Sequence, residues 1–404
     1  MIDPQDLYRR YSTAVAGEPL PVALVDLDAL DRNVDTLVAP VRRAGKTLRV
    51  ASKSVRCAEI LRRIAARGGD TIQGVMAFSP AEAGYLVDEG FSDVLVAYPT
   101  AQMEGAALIA DANRRGARVA VVADAPEHLA LLAAAAEKAG VRVPVIVDVD
   151  VSYRPLGDRL HVGVRRSPLR TPEAVVDLAE AARRSPHLTF AGLLAYEAHI
   201  AGVPDHSPLA PLLDGPKRAL KRLARGPARA QRMEVRRALE RRGIDVPLFN
   251  GGGTGSVAWS ADDPALTEVA AGSGFLDSHL FDGFDGLALE PAAFFALQIT
   301  RRPGPEFVTC QGGGFIASGA PGPDRQPIPY LPAGLRLVGL EGAGEVQTPL
   351  LVPEGARLDL GAPVFFRHAK AGELAEHFNA YLLVRRDGIE TRALTYRGAG
   401  RCFA

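Results

Sequence analysis

Between residues 47 and 285, short runs of Val, Ile, Leu and Ala alternate about eight times with longer amphipathic stretches, and few folds accept that rhythm. The runs read LRVAS (48–52), TIQGVMA (71–77), DVLVAY (93–98), RVAVVAD (118–124), PVIVDVD (144–150), FAGLLAY (190–196), PLFNGG (247–252) and EVAAG (268–272). They lack polar alternation, the pattern of parallel strands buried on both faces. Between them lie helical patterns such as CAEILRRIAARG and PEHLALLAAAAEKAG. Gly68, Gly90, Gly116 and Gly140 stand where helices commonly end in a left-handed residue. Eight such units in roughly 240 residues predict an α/β chain built on a (β/α)8 TIM-type barrel. A doubly wound open sheet would more usually have six strands, with its Gly-rich turn after the first. Here the Gly-rich turn, NGGGTGS (250–256), follows the seventh run.

After about residue 290 helical periodicity fades, Gly and Pro rise, and strand-like pieces such as FFALQITRR, APVFFRHA and AYLLVRR follow one another. This predicts a C-terminal, mainly antiparallel β domain. The expected division is a barrel at 20–288 and a β domain from 1–19 plus 289–404. Residues 203–246 exceed one ordinary connection and are rich in Arg and Lys, from Lys217 to Arg242. They read as a solvated helix or helix pair on the barrel's rim, with an anion-binding surface as the alternative. Forty-seven basic side chains balance forty-seven acidic ones, which argues against binding nucleic acid through bulk charge. Three scattered cysteines make neither a disulfide framework nor a Cys-rich zinc site. With no leader-like segment and no stretch of about 18 apolar residues, the expectation is a cytoplasmic enzyme or small-molecule binder without membrane spans.

Barrel chemistry gathers at the C-terminal ends of the strands. The first run ends in Ala51-Ser52-Lys53-Ser54. A lysine at a buried strand tip is either used, with its amine available for a Schiff base, or a snorkelling rim residue. The turn at Gly251, Gly252, Gly253 and Gly255, with Thr254 and Ser256, can aim N–H groups and hydroxyls at a phosphate. A strand-end lysine combined with a phosphate loop is what a pyridoxal phosphate enzyme needs: one group for the aldehyde, one for the phosphate.

PVALVDLDALDRNV followed by LRVASKS resembles the start of the pyridoxal phosphate enzymes of fold type III, with the alanine racemase-type barrel. Ala195-Tyr196-Glu197-Ala198-His199, NGGGTGS and the stretch from Glu268 to Asp277 resemble the D-threonine aldolase and D-serine dehydratase-like (amino acid deaminase/aldolase) branch. The resemblance implies that the N-terminal segment completes the β domain and that Lys53 carries pyridoxal 5'-phosphate as an aldimine. It implies that Gly252, Gly253, Thr254, Ser273 and Gly274 hold the phosphate, and that Tyr196 and His199 face the ring. It also implies a homodimer acting on a small amino acid.

That branch uses a divalent cation, Zn or Mn, held by a His and a Cys or Asp two residues on. The matching stretch is Phe366-Arg367-His368-Ala369-Lys370, followed by His377. Either His368 and His377 rebuild a metal site, or Lys370 replaces the cation, because an ammonium cannot ligate a metal. The leading expectation is a lyase that cleaves or dehydrates a β-hydroxy D-amino acid, with His199 or Lys370 as the acid–base group. A racemase is the alternative and needs a second base, for which Tyr330, Tyr381 and Tyr396 stand available. A non-catalytic pyridoxal phosphate carrier would lack residues 290–404. Which of Arg159, His161 and Arg165 takes the place of the superfamily's arginine before a glycine is open.

Overall fold

The computed structural model describes residues 3–207, 209–370 and 372–403, the side chain of Asp158 excepted. In chain order the elements begin α1 (Pro4–Ala14), β1 (Val22–Asp26), α2 (Leu27–Arg43), β2 (Thr47–Ala51), α3 (Ala58–Gly68), β3 (Ile72–Ala77), α4 (Pro80–Asp88) and β4 (Asp93–Val96). They continue α5 (Met103–Arg114), β5 (Arg118–Ala123), α6 (Pro126–Ala139), β6 (Val143–Asp148), β7 (Pro155–Asp158), α7 (Pro172–Arg184), β8 (Leu188–Ala195) and α8 (Ala198–Ala201). Next come α9 (Asp214–Arg241), β9 (Phe249–Gly251), α10 (Val257–Ala261), β10 (Glu268–Ala271), β11 (Ala293–Gly304), β12 (Phe307–Gln311) and β13 (Ile328–Leu331). The last are β14 (Arg336–Leu337), β15 (Gln347–Leu351), β16 (Pro363–Arg367), β17 (Ala380–Arg385) and β18 (Gly388–Leu394). The chain packs into two compact units: residues 37–53, 68–272 and 403–404 form one, and residues 1–36, 54–67 and 273–402 the other.

The first unit holds a closed barrel in the order β10-β2-β3-β4-β5-β6-β8-β9, with every neighbouring pair parallel. Each of the eight apolar runs is one of its strands. Leu95, Ala120, Val122, Ile146, Ala191 and Leu194 pack in one buried cluster. Charge is admitted where it is paired: Arg49 is 2% exposed, and it donates to Glu268 at 2.7 Å and to Asp93 at 3.1 Å. Gly74 has φ +66°, and a Cβ there would stand 2.2 Å from an Arg49 nitrogen, so only glycine lets the guanidinium pass. The expected left-handed glycines are found at Gly90, Gly116 and Gly140. Gly68 instead stays within α3, and Gly69 takes the positive φ.

The basic segment takes the single-helix form among its expected alternatives, as the 28-residue α9, but it is not solvated all round: its inner face is built into the unit. Lys221 pairs with Asp205 at 2.7 Å, and Arg232 is fully buried. The sequence reading treated all these cations as solvated because their carboxylate partners lie 16 to 35 residues away.

The second unit is a sheet in the order β14-β15-β12-β11-β1-β17-β18, with β16 pairing both β11 and β13. Only β1 and β17 run parallel. Its core gathers Leu24, Phe294, Phe365 and Leu382 around Tyr11 of α1. The Tyr11 hydroxyl donates to Asp26 at 2.7 Å, which satisfies two buried polar groups at once. No helix of the described residues is long and apolar enough to cross a membrane.

Candidate active site

Four adjacent barrel strands, β8, β9, β10 and β2, run parallel, so their C-terminal ends share one rim. Lys53 follows β2 in a 3-10 turn, Ser52–Ser54. The glycine-rich turn follows β9, and Tyr196 follows β8. Gly272 follows β10, and its N–H meets Thr254 Oγ1 at 3.4 Å. Lys53 is exposed, and it stands at the rim that carries the loop.

The turn is backed closely on both sides. Gly252 has φ +86°, and a Cβ there would stand 2.7 Å from Val269. Gly253 is extended, but a Cβ there would stand 3.0 Å from Ala201 Cβ and 3.2 Å from the Tyr196 ring. The Gly252 N–H donates to Glu197 at 3.0 Å, and the Gly253 N–H donates to Ser256 Oγ at 3.2 Å. A cradle with no room for side chains, set with hydroxyls and amides and sharing a rim with a lysine, fits pyridoxal phosphate. Ser273 and Gly274 begin the other unit in a 3-10 turn, where Ser273 Oγ lies 3.3 Å from Ser54 Oγ and Gly274 is buried.

Tyr196 and His199 line a small cavity with Asp148, Asp150, Ser152 and Arg166. His199 is 4% exposed and its Nε2 has no hydrogen-bond partner. Burial holds this imidazole below its usual range, although Glu197 pulls the other way. Asp148 is pushed up to about 6 by burial, opposed by Arg166 at 3.2 Å. Asp150 accepts from Ser152 and Arg154 at 2.8 Å each.

Sequence reasoning passed over Asp148, Asp150 and Arg166. The aspartates were readable in DVD, since acidic residues at a buried strand tip need partners. Arg166 was not, because an irregular loop decides which of several arginines turns inward. Arg166 donates to Ala97 O at 2.9 Å and lies over the Tyr98 ring, whereas Arg159 and Arg165 do not line this cavity.

In the other unit, His368, Lys370 and His377 border one cavity with Phe315, Glu373 and Leu374. His368 is 4% exposed with Nδ1 unpartnered, and burial pushes its pKa down to about 3. His377 is exposed and stacked on Phe315, with ring centroids 4.3 Å apart. Lys370 approaches Ser318 O and Oγ at 3.4 Å. Glu373 spends both oxygens on the Ser318 N–H, at 2.8 and 2.9 Å. The sequence leaves two alternatives here, a metal centre rebuilt from His368 and His377 or Lys370 in the cation's place. Among the described residues no group of three or more His, Cys, Asp or Glu is placed to hold an ion, and an ammonium beside His368 opposes one. The three tyrosines named for a racemase lie in the unit that holds the sheet. Tyr381 and Tyr396 are 0% and 1% exposed, and Tyr330 is stacked on Phe294.

Known proteins resemble this chain over much of its length. A 3-hydroxy-D-aspartate aldolase of Paracoccus denitrificans (strain Pd 1222) is 29% identical over 259 residues, which span 64% of this chain and 60% of the relative. A D-threonine aldolase of Arthrobacter sp is 28% identical over 308 residues, 74% of each chain. The crystal structure of D-threonine aldolase from Filomicrobium marinum superposes with a TM-score of 0.80 at 22% identity, covering 94% of this chain and 95% of that one; this likeness speaks for the fold. Residues 25–276 match the family described as alanine racemase, N-terminal domain, and the chain belongs to that family.

Proposed function

We propose that this protein is a pyridoxal phosphate-dependent lyase acting on a D-amino acid with a β-hydroxyl group. The observation that carries the reading is the shared rim, where Lys53 and the glycine-rich turn end strands two apart around the barrel. The kinship with aldolases of D-amino acids supports it. Pyridoxal phosphate, when bound, supplies an electron sink for the charge that develops at the substrate's α-carbon.

Lys53 would hold the cofactor's aldehyde. Thr254, Ser273 and Gly274 would hold its phosphate against Gly252 and Gly253, whose own N–H groups turn inward to Glu197 and Ser256, and Tyr196 would pack against its ring. His199 is buried, with Nε2 unpartnered and its pKa lowered by burial, so it can take the proton of the β-hydroxyl as carbon–carbon cleavage begins. In a dehydration the proton taken is the one on the α-carbon, and the departing hydroxyl gains a proton and leaves as water. Lys370 has no carboxylate partner among the described residues, and we assign it the positive charge that a divalent cation would otherwise bring to the substrate's oxygens. Barrel and sheet would serve as cofactor domain and β domain of a homodimer.

The test is an absorbance spectrum of the purified protein, followed by product analysis with a panel of D-amino acids. An aldehyde product identifies an aldolase, and a keto acid with ammonia identifies a dehydratase. Interconversion of D- and L-forms with neither product would make it a racemase and overturn the reading.

A further inference from the structure

Glu197 presents a physical problem. Its carboxylate is fully buried directly behind the glycine-rich turn, where a negative charge would repel the phosphate that the turn is proposed to hold. It is nevertheless built in firmly. Oε2 accepts from the Gly252 N–H at 3.0 Å, and Oε1 accepts from Ser256 at 2.7 Å and Ser260 at 2.6 Å. One acid therefore fixes the start of the turn, its end and the short helix α10 behind it. Burial alone would raise this carboxyl; Arg232 and the two serine hydroxyls hold it below the ordinary range.

The compensating charge comes from α9. Arg232, 0% exposed, donates through Nη2 to Glu197 and to Ala195 O, the latter at 2.6 Å, and through Nη1 to Asp263 at 2.9 Å. Asp263 lies 4.0 Å from Arg229, so two acids face two guanidiniums. Arg232 thus touches the last residue of β8, the acid beneath the turn and the segment before β10.

We propose that Arg232 is a positioning residue for the cofactor's phosphate: it acts through Glu197, cancelling the charge of the carboxylate that shapes the turn. The carboxylate gives the loop its form, and the guanidinium makes that form tolerable to an anion. This rests on the cofactor assignment above, and it goes further by giving a helix outside the rim a part in anion binding. A purely structural role would lower the preference for a phosphorylated ligand in an Arg232 and a Glu197 variant alike, because both residues shape the turn. Charge cancellation moves it in opposite directions.

The experiment measures dissociation constants of pyridoxal phosphate and of pyridoxal, which lacks the phosphate, for the full-length protein freed of cofactor. Arg232→Gln should lower the preference for the phosphorylated form by about tenfold or more, since a buried negative charge is then uncovered. Glu197→Gln should move it the other way, because Arg232 then faces the phosphate with one acid fewer. If Arg232→Gln gives no cooperative melt, Glu197→Gln carries the test by itself: a raised preference supports the proposal and an unchanged or lowered one overturns it. With both variants folded, a preference that is unchanged, or that falls in both, also overturns it. Failure of the wild-type protein to bind pyridoxal phosphate would instead overturn the proposed function, a result distinct from binding with an insensitive preference.

Discussion

At the scale of single residues, Lys53 is the sharpest commitment. Lys53→Ala should purify without the visible absorbance band of the bound cofactor, and a band of wild-type strength would refute the assignment. Asp148 offers a pH signature. Its folded pKa of about 6 lies above the 3.8 of an ordinary aspartate, so the folded chain keeps a proton that the unfolded chain gives up first. Stability from this group is fullest below about pH 4 and is lost as pH rises to about 6, by up to about 3 kcal/mol. Asp148→Asn should flatten the fall of the melting temperature between those limits, and a wild-type slope in the variant would count against this account. Lys370 makes a third claim. Elemental analysis after dialysis should find no stoichiometric divalent metal, with turnover unaffected by EDTA; a retained ion whose removal stops turnover would sink the lysine-for-metal reading. Residues at strand tips were legible because a barrel exposes those tips to its chemistry. Arg166 was not, since a loop without period decides where its neighbours point.

Among the elements, the eight barrel strands were legible because burial on both faces removes polar residues from them. β1 carries no such distinction: VALVD has a barrel strand's texture, and its pairing with β11 and β17 alone puts it in the sheet. The inner face of α9 was hidden for another reason. A guanidinium looks the same in sequence whether it meets water or a buried acid far along the chain. Two substitutions test elements. Gly253→Val meets Ala201 and the Tyr196 ring, so cofactor affinity should fall by tenfold or more while the melting temperature drops little; equal loss of both would make the glycine purely structural. Glu268→Ala strips Arg49 of its 2.7 Å partner inside the barrel. Urea unfolding should then show a loss of about 3–5 kcal/mol, and a loss under about 1 kcal/mol would mean that water reaches the guanidinium.

For the molecule as a whole, balanced charge sets the expectation for nucleic acid. Two cations of α9, Lys221 and Arg232, are spent on internal acids, and generic DNA or RNA should not bind at micromolar concentration and low salt; salt-sensitive retention would contradict this. The seam of the barrel bears on how the protein is made. The last strand, β10, pairs with the first, β2, and the rim proposed for the cofactor straddles that closure. Lys53 leaves the ribosome about 200 residues before the glycine-rich turn, which at ordinary elongation rates is on the order of 10–40 s. On the proposed cofactor assignment, the nascent chain carries its lysine through that interval without the phosphate loop, and closure of the ring is the step that brings the two onto one rim.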